Sequence, residues 1–325
     1  MTLLKLNSGE VVNATSPVII SASRCTDIPA FYSDWLVNRL KEGYMKWNNP
    51  YNNISQYVSF DKTRLFVFWS KNPKPLMKYL DYLDKYNYYF QFTLNNYGEY
   101  LEPNVSDVDS RIETFIKLSE KIGKDKVIWR YDPLILTDKI GVDELLKKVE
   151  YVGNQLKDYT NKLVFSYADI SNYKTVRRTL NEQSINYIDF DEKSMIEVAN
   201  GLHDLNVNWN LDVCTCAEKI DLEKFDFHHN KCIDDDLIIK LFKNDEALMK
   251  HLGIKIIPNN NSREDIIKKT KTNKDTAQRK LCGCILSKDI GTYNTCPHLC
   301  KYCYANFNKN VITNYKNHNI NSEIL

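Results

Sequence analysis

Apolar residues along the chain fall into two rhythms. The first is a short continuous run, rich in β-branched and aromatic side chains and closed by small or polar residues. It occurs at Pro17–Ser23 (PVIISAS), Leu65–Trp69 (LFVFW), Tyr88–Leu94 (YYFQFTL), Lys126–Arg130 (KVIWR), Lys162–Ser166 (KLVFS) and Val207–Val213 (VNWNLDV). Runs that are apolar on both faces are the signature of buried parallel strands. The second rhythm repeats every three to four residues among Lys and Glu, as in Ile112, Phe115, Ile116, Leu118 and Ile122, and predicts amphipathic helices. Six strands separated by such helices predict an α/β fold with parallel pairing and right-handed crossovers. A partial or complete (β/α) barrel is the expected form, and an open doubly wound sheet is the alternative.

Polar residues gather where each strand would end: Ser21, Ser23, Arg24, Thr26 and Asp27; Ser70, Lys71 and Asn72; Thr93 and Asn95; Arg130, Tyr131 and Asp132; Ser166 and Asp169. In parallel α/β folds the C-terminal strand ends build the active site, so a substrate is expected there. Arg24, Asp27, Arg130 and Asp132 are the candidates for cofactor or substrate contacts; the alternative is that each is half of a structural ion pair at the rim.

The chain has 325 residues, which suits one barrel with an appendage or two domains. The expected division is a barrel core over 1–257, a polar linker over 258–281 and a cysteine-rich segment over 282–325 that closes on the barrel. Hydrophobic residues make up 43% and charged residues 26%, enough for a sizeable core and unlike a disordered chain. Lys and Arg number 44 against 42 Asp and Glu, so no global field draws the chain to nucleic acid or anionic lipid. The opening MTLLKLNSGE lacks the apolar core of a secretory signal, and no run approaches a membrane span; the expectation is a cytoplasmic protein. From Pro258 to Lys280 seven basic residues stand against three acids, which predicts a solvated linker or surface helix, or else a phosphate-contacting strip. The tail after Ala305 reads as a loose cap.

Cysteines change the picture. Five of the nine (Cys282, Cys284, Cys296, Cys300 and Cys303) fall within 22 residues, and thiols kept in a reducing compartment are better metal ligands than disulfide partners. In CPHLCKYCY, three cysteines are spaced by three and then two residues. Three thiolates on one loop can hold three corners of a cubane and leave the fourth iron open for chemistry. Zinc is the alternative, but closed zinc sites use four ligands, commonly in two separated pairs, and His298 sits inside the loop itself.

This spacing resembles the radical S-adenosylmethionine (SAM) motif, and TCPHLCKYCYAN is especially similar to its version in relatives of spore photoproduct lyase. The resemblance implies a [4Fe-4S] cluster on Cys296, Cys300 and Cys303, with Tyr302 near the adenine of SAM. It also implies an electron donor such as flavodoxin or ferredoxin. Nearly the whole chain further resembles DUF1848, a bacterial family of unknown reaction that is itself considered radical-SAM-like. The matching segments are SASRCTDIPAFY, FWSKNPKP, YYFQFTLNNYG, EPNV, VIWRYDPLIL, TCAEKIDL, KCIDD, CGC and DIGTYNTCPHLCKYCYAN. Cys25 stands where the family's usual form has a second Arg, and reads as an incidental thiol.

Two departures from the general radical pattern matter. The cluster loop lies at the far end of the chain instead of after the first strand, and the Gly-Gly-Glu segment that clasps the methionine is absent. Circular permutation reconciles them: Cys284–Ile290 (CILSKDI) would be a last strand beside Pro17–Ser23, and the Ser23–Asp27 loop, with Ser23 and Thr26, would replace the clasp.

Cys282 and Cys284 are two apart, so in an extended chain both point to one side. With Cys216 and Cys232 they would make a four-thiolate set for a second [4Fe-4S] cluster or a structural zinc, with Cys214 as a substitute for Cys216. Core thiols are the plain alternative. The leading functional reading is a radical SAM enzyme of unknown substrate. The others are an iron-sulfur electron carrier or sensor, and a zinc protein associated with nucleic acid.

Overall fold

The computed structural model describes residues 1–50, 52, 54–257, 266–307 and 310–325. Its centre is one sheet of eight strands: β1 (Ile19–Ala22), β2 (Leu65–Ser70), β3 (Asn87–Thr93), β4 (Val127–Leu134), β5 (Lys162–Tyr167), β6 (Asp212–Thr215), β7 (His228–His229) and β8 (Lys288–Asp289). The spatial order is β7-β6-β5-β4-β3-β2-β1-β8, and every pairing is parallel. A doubly wound sheet reverses its strand order at a switch point. Here the order runs from β1 to β7 without reversal, which sets that alternative aside. Among the described residues no pairing joins β7 to β8, so hydrogen bonds do not close the sheet into a ring.

The strands alternate between two apolar layers. Phe66, Phe68, Phe90, Phe92, Trp129, Tyr131 and Phe165 pack with the apolar stripes of the crossover helices Val108–Ile122, Val142–Leu156 and Glu192–Trp209. Leu65, Val67, Tyr89, Ile128 and Val164 face the other way, onto Ile238, Ile239, Phe242 and Leu248 of the helices Asp235–Phe242 and Glu246–Leu252. Each such fully buried side chain contributes about 1.5–3 kcal/mol of hydrophobic stabilisation. On this second face the apolar packing gives way towards the strand ends to Trp69, Gln91, Arg130, Asp132 and Ser166.

Three expectations need correction, and one sheet was not foreseen. The run Val207–Val213 is not one strand: Val207 and Trp209 finish the helix Glu192–Trp209, Asn210 closes it in the left-handed conformation (φ 53°), and β6 begins at Asp212. The alternation of Val, Trp, Leu and Val mimicked a strand, but Val207 is exposed while Trp209 packs against Gly153. The expectation of a linker or surface helix over 258–280 falls partly on 258–265, outside the described residues; within 266–280 no helix forms, and Ile266–Lys269 is a strand paired antiparallel with Ile254–Ile257. The tail is not loose: Trp35 Nε1 donates to the Ser322 carbonyl at 2.8 Å, and Val311 and Leu325 are buried. Finally, an unanticipated four-stranded sheet (Thr2–Lys5, Val11–Thr15, Ser55–Ser59, Tyr44–Asn48) flanks the core.

The strand expected within Cys284–Ile290 forms. Lys288 pairs with Ile20 and Asp289 with Ser21, parallel, so the loop that follows β8 leaves from the same edge as the loop that follows β1.

Candidate metal centre

Asp289 joins these two loops. Its carboxylate accepts from Ser21 Oγ (2.9 Å), Ser23 Oγ (2.7 Å) and the Arg24 and Gly291 amides (2.9 Å each). Gly291 is required at this crossing: a methyl group there would lie 1.8 Å from Ser23 Oγ and 2.8 Å from Cys25 Sγ. The chain then enters the Cys296–Cys303 loop, which turns through Leu299 in the left-handed region (φ 51°) and closes with the Cys303 amide on the Cys300 carbonyl at 3.0 Å. A leucine in that conformation is strained and must be held by its surroundings.

The holding contacts come from three strand ends. His298 is buried; its Nε2 lies 2.8 Å from Asp27 Oδ2 and its Nδ1 3.3 Å from the Asn104 carbonyl. Both ring nitrogens are thereby engaged, which removes His298 as a fourth zinc ligand. Asn104 Nδ2 donates to the Pro297 carbonyl at 3.0 Å, and Tyr32 OH donates to the Thr295 carbonyl at 2.6 Å. Beneath Cys300, Glu102 is buried with Lys71 Nζ at 2.7 Å and Arg111 Nη2 at 3.8 Å, and it accepts a very short hydrogen bond from Tyr302 OH. Burial alone would push the Glu102 carboxyl up, but Lys71 and Arg111 hold it below the usual range.

Cys296, Cys300 and Cys303 are half-buried; their thiols act on one another electrostatically, while among the described residues the three sulfurs do not lie mutually within 4.8 Å. Burial, then Asp27, Cys303 and Cys300, push the Cys296 thiol well up. Burial likewise raises Cys300, with Lys71 opposing it. The Cys303 sulfur accepts the Ala305 amide at 3.4 Å. Three gathered thiols that burial keeps from ionising alone are a donor set suited to a metal centre, since a cation supplies the missing counter-charge. Nearby, Arg24 Nη2, Thr26 Oγ1 and Trp69 Nε1 are buried without a hydrogen-bond partner among the described residues, three donors suited to a polar ligand.

Arg24, Asp27, Arg130 and Asp132 stand on this same mouth. Both guanidinium groups lie over the Trp69 ring, Arg24 at 5.2 Å and Arg130 at 5.0 Å from its centroid. Arg130 and Ser166 each make a very short hydrogen bond to Asp132, and Arg24 Nη1 lies 3.8 Å from Asp289. Ser23 belongs to the Asp289 network. Tyr302 directs its hydroxyl to Glu102, Lys71 (3.0 Å) and Asn95 (3.0 Å). Cys25 accompanies Ser23 at 3.4 Å and faces Gly291, beside the cluster loop.

The second cysteine set also assembles. Cys216 and Cys232 sulfurs are 3.7 Å apart, and Cys284 Sγ accepts the Cys232 and Ile233 amides at 3.3 and 3.4 Å. Cys282 adjoins Cys284, whose hydrogen bond lowers the Cys282 thiol to about 7. Cys214 stands apart from this set, 3.2 Å from His228 Nε2. Arg130 Nη1 and Asn230 Nδ2 donate to Cys232 Sγ at 3.0 and 3.1 Å.

The strand-end pattern reached Arg24, Asp27, Arg130 and Asp132 but not the roles of His298, Glu102, Arg111 or Asp289. The signal for Glu102 and Lys71 lay in the EPNV and FWSKNPKP segments, which marked those residues without giving them a task.

Nothing among curated proteins or solved structures matches the chain. The family model described as "Domain of unknown function (DUF1848)" matches residues 19–305. With well over half of its length matched, from β1 through the cysteine loop, the chain belongs to the DUF1848 family.

Proposed function

We propose that the chain is a radical SAM enzyme whose [4Fe-4S] cluster sits on Cys296, Cys300 and Cys303. The observation that carries this reading is the parallel pairing of Lys288 with Ile20 and Asp289 with Ser21. It brings a loop with the radical-SAM cysteine spacing to the C-terminal strand ends, where parallel α/β folds do their chemistry. Such a cluster would supply, when bound and reduced, the electron that opens the carbon–sulfur bond of SAM.

The chain's own residues bind and orient. His298 and Asp27 fix the cysteine loop against the loop after β1. The orphan donors of Arg24, Thr26 and Trp69 suit the carboxylate and hydroxyls of SAM, and Ser23–Asp27 takes the place of the missing clasp. Arg130 and Asp132 orient the substrate at the inner face, and the packed strand ends exclude water from the radical. The sequential parallel sheet, with β8 beside β1, fits a permuted (β/α) barrel of radical-SAM type.

The test is anaerobic reconstitution with iron and sulfide, followed by assay of deoxyadenosine formation from SAM under a strong reductant. Wild type is expected to form it, and Cys300→Ala to form none while keeping its far-ultraviolet circular dichroism. Brown protein that never cleaves SAM would instead be an electron carrier. Colourless protein carrying zinc would overturn both readings.

A further inference from the structure

We infer that Cys216, Cys232, Cys282 and Cys284 hold a second iron-sulfur cluster, separate from the cysteine loop, on the sheet face that carries Trp69 and Arg130. The inference does not depend on what the loop binds.

Four thiols reach this point from three distant segments: the end of β6, the turn after β7 and the CGC segment before β8. Ordinary buried cysteines behave as small hydrophobes and gather no polar partners. These sulfurs do gather them. Arg130, Asn230 and the Cys232 and Ile233 amides all direct N–H groups at Cys232 or Cys284 within 3.0–3.4 Å. A neutral thiol is a weak acceptor, whereas a metal-bound thiolate is a strong one, and N–H groups aimed at ligand sulfurs are a principal means of tuning iron-sulfur centres.

Charge points the same way. The buried Arg130 guanidinium contacts Cys232, Arg24 extends to Cys284, and Arg279 approaches Cys216. Asp132, Asp289 and Glu218 stand against these three cations, and a centre with four thiolate ligands adds negative charge where the guanidiniums meet the sulfurs.

Tetrahedral zinc, with bonds of about 2.3 Å, draws its four sulfurs to within about 4 Å of one another. The Cys216–Cys232 pair meets that separation at 3.7 Å, but no three cysteine sulfurs among the described residues lie mutually within 4.8 Å, so the four do not stand as a preformed zinc tetrahedron, and the metal count decides between the two centres. With four protein ligands every iron is occupied, so this centre transfers electrons and does not bind substrate. Arg24 stands between the two: its charge acts on Cys284, and its carbonyl accepts from Tyr304 OH at 3.0 Å, one residue past Cys303.

Two variants separate this inference from the proposed function. One replaces the loop set (Cys296→Ala, Cys300→Ala, Cys303→Ala), and the other replaces Cys232→Ala and Cys284→Ala. Wild type and both variants are reconstituted anaerobically, and iron, sulfide and zinc are counted per chain alongside electron paramagnetic resonance of the reduced protein. The expected counts are about eight irons in wild type and about four in each variant, without zinc. A loop variant that is folded by circular dichroism yet holds no iron, or wild type with about four irons and one zinc, overturns the inference. Because the loop variant leaves the inner set intact, the test stands even if the second variant does not fold. A loop variant that keeps every iron of the wild type would overturn the proposed function and leave the second cluster in place.

Discussion

His298 Nε2 lies 2.8 Å from Asp27 Oδ2, across 271 positions of sequence, and the same carboxylate oxygen accepts the Lys71 amide at 2.7 Å. Asp27 Oδ1 takes the Ala30 amide at 3.0 Å. One buried carboxylate therefore fastens the loops after β1, β2 and β8 together. Asp27→Ala leaves a buried imidazole and two amides without their partner, at a cost of about 3 kcal/mol. Urea unfolding is expected to show that loss, and reconstituted protein a lower iron content. Unchanged values for both would refute the fastening role.

Glu102 is the counter-charge for two buried cations. Glu102→Gln keeps the shape but removes the charge facing Lys71 and Arg111, with an expected loss of about 3–5 kcal/mol. Tyr302→Phe removes one hydroxyl from the same cluster and should cost about 1–2 kcal/mol. Because the two groups share a hydrogen bond, the double variant should lose less than the sum. Strict additivity in the double-mutant cycle would contradict the shared network.

Gly291→Ala tests the crossing of the two loops. The new methyl must displace Ser23 and Cys25, so the Ser23–Asp289 hydrogen bond at 2.7 Å cannot survive unaltered. A fall in melting temperature corresponding to about 1–3 kcal/mol is expected. A neutral substitution would mean that the loops do not approach as described.

Lys288 gives the pH dependence. Its ammonium lies 3.1 Å from the Trp47 ring centroid, and burial there lowers its pKa from 10.5 to about 8, against the pull of Asp289. Between those two values the unfolded chain binds more protons, so stability rises with pH from about 8 to about 10.5. Because Lys288 is partly exposed, solvent screening holds the rise to about 1–2 kcal/mol, well below what the full shift would give. Lys288→Met should be the more stable form at pH 7, with an advantage that shrinks through this window. Chemical denaturation at pH 7 and pH 9.5 would reveal a pH-independent difference if the idea is wrong.

The buried strands were legible because each carries its own signal: LFVFW or KVIWR is apolar enough to predict a strand without knowledge of its neighbours. Cys296–Cys303 was legible for the same reason, since a loop's spacing is local. What could not be read is what depends on the folded chain. His298 meets Asp27, and Arg130 meets Cys232, only because strand order brings them together. The Val207–Val213 error has the same origin, because the packing of Trp209 against Gly153 outweighs an alternation that fits a strand equally well.

The pairing of β8 with β1 also dictates when the molecule can be finished. Ser21 and Asp289 are separated by 268 residues, so their hydrogen bond closes nearly the longest loop the chain contains. A ribosome delivers β1 to β7 first, and those seven strands can zip in order of synthesis as each crossover helix docks. The β1 edge must then wait with its amides and carbonyls unpaired, a surface open to mispairing with other chains. Asp289 satisfies that edge only once it has itself been made, and the cysteine loop emerges after it. Assembly of the sheet and emergence of the cysteine loop are thus a single late event, and a prematurely terminated chain carries the bare edge without the loop.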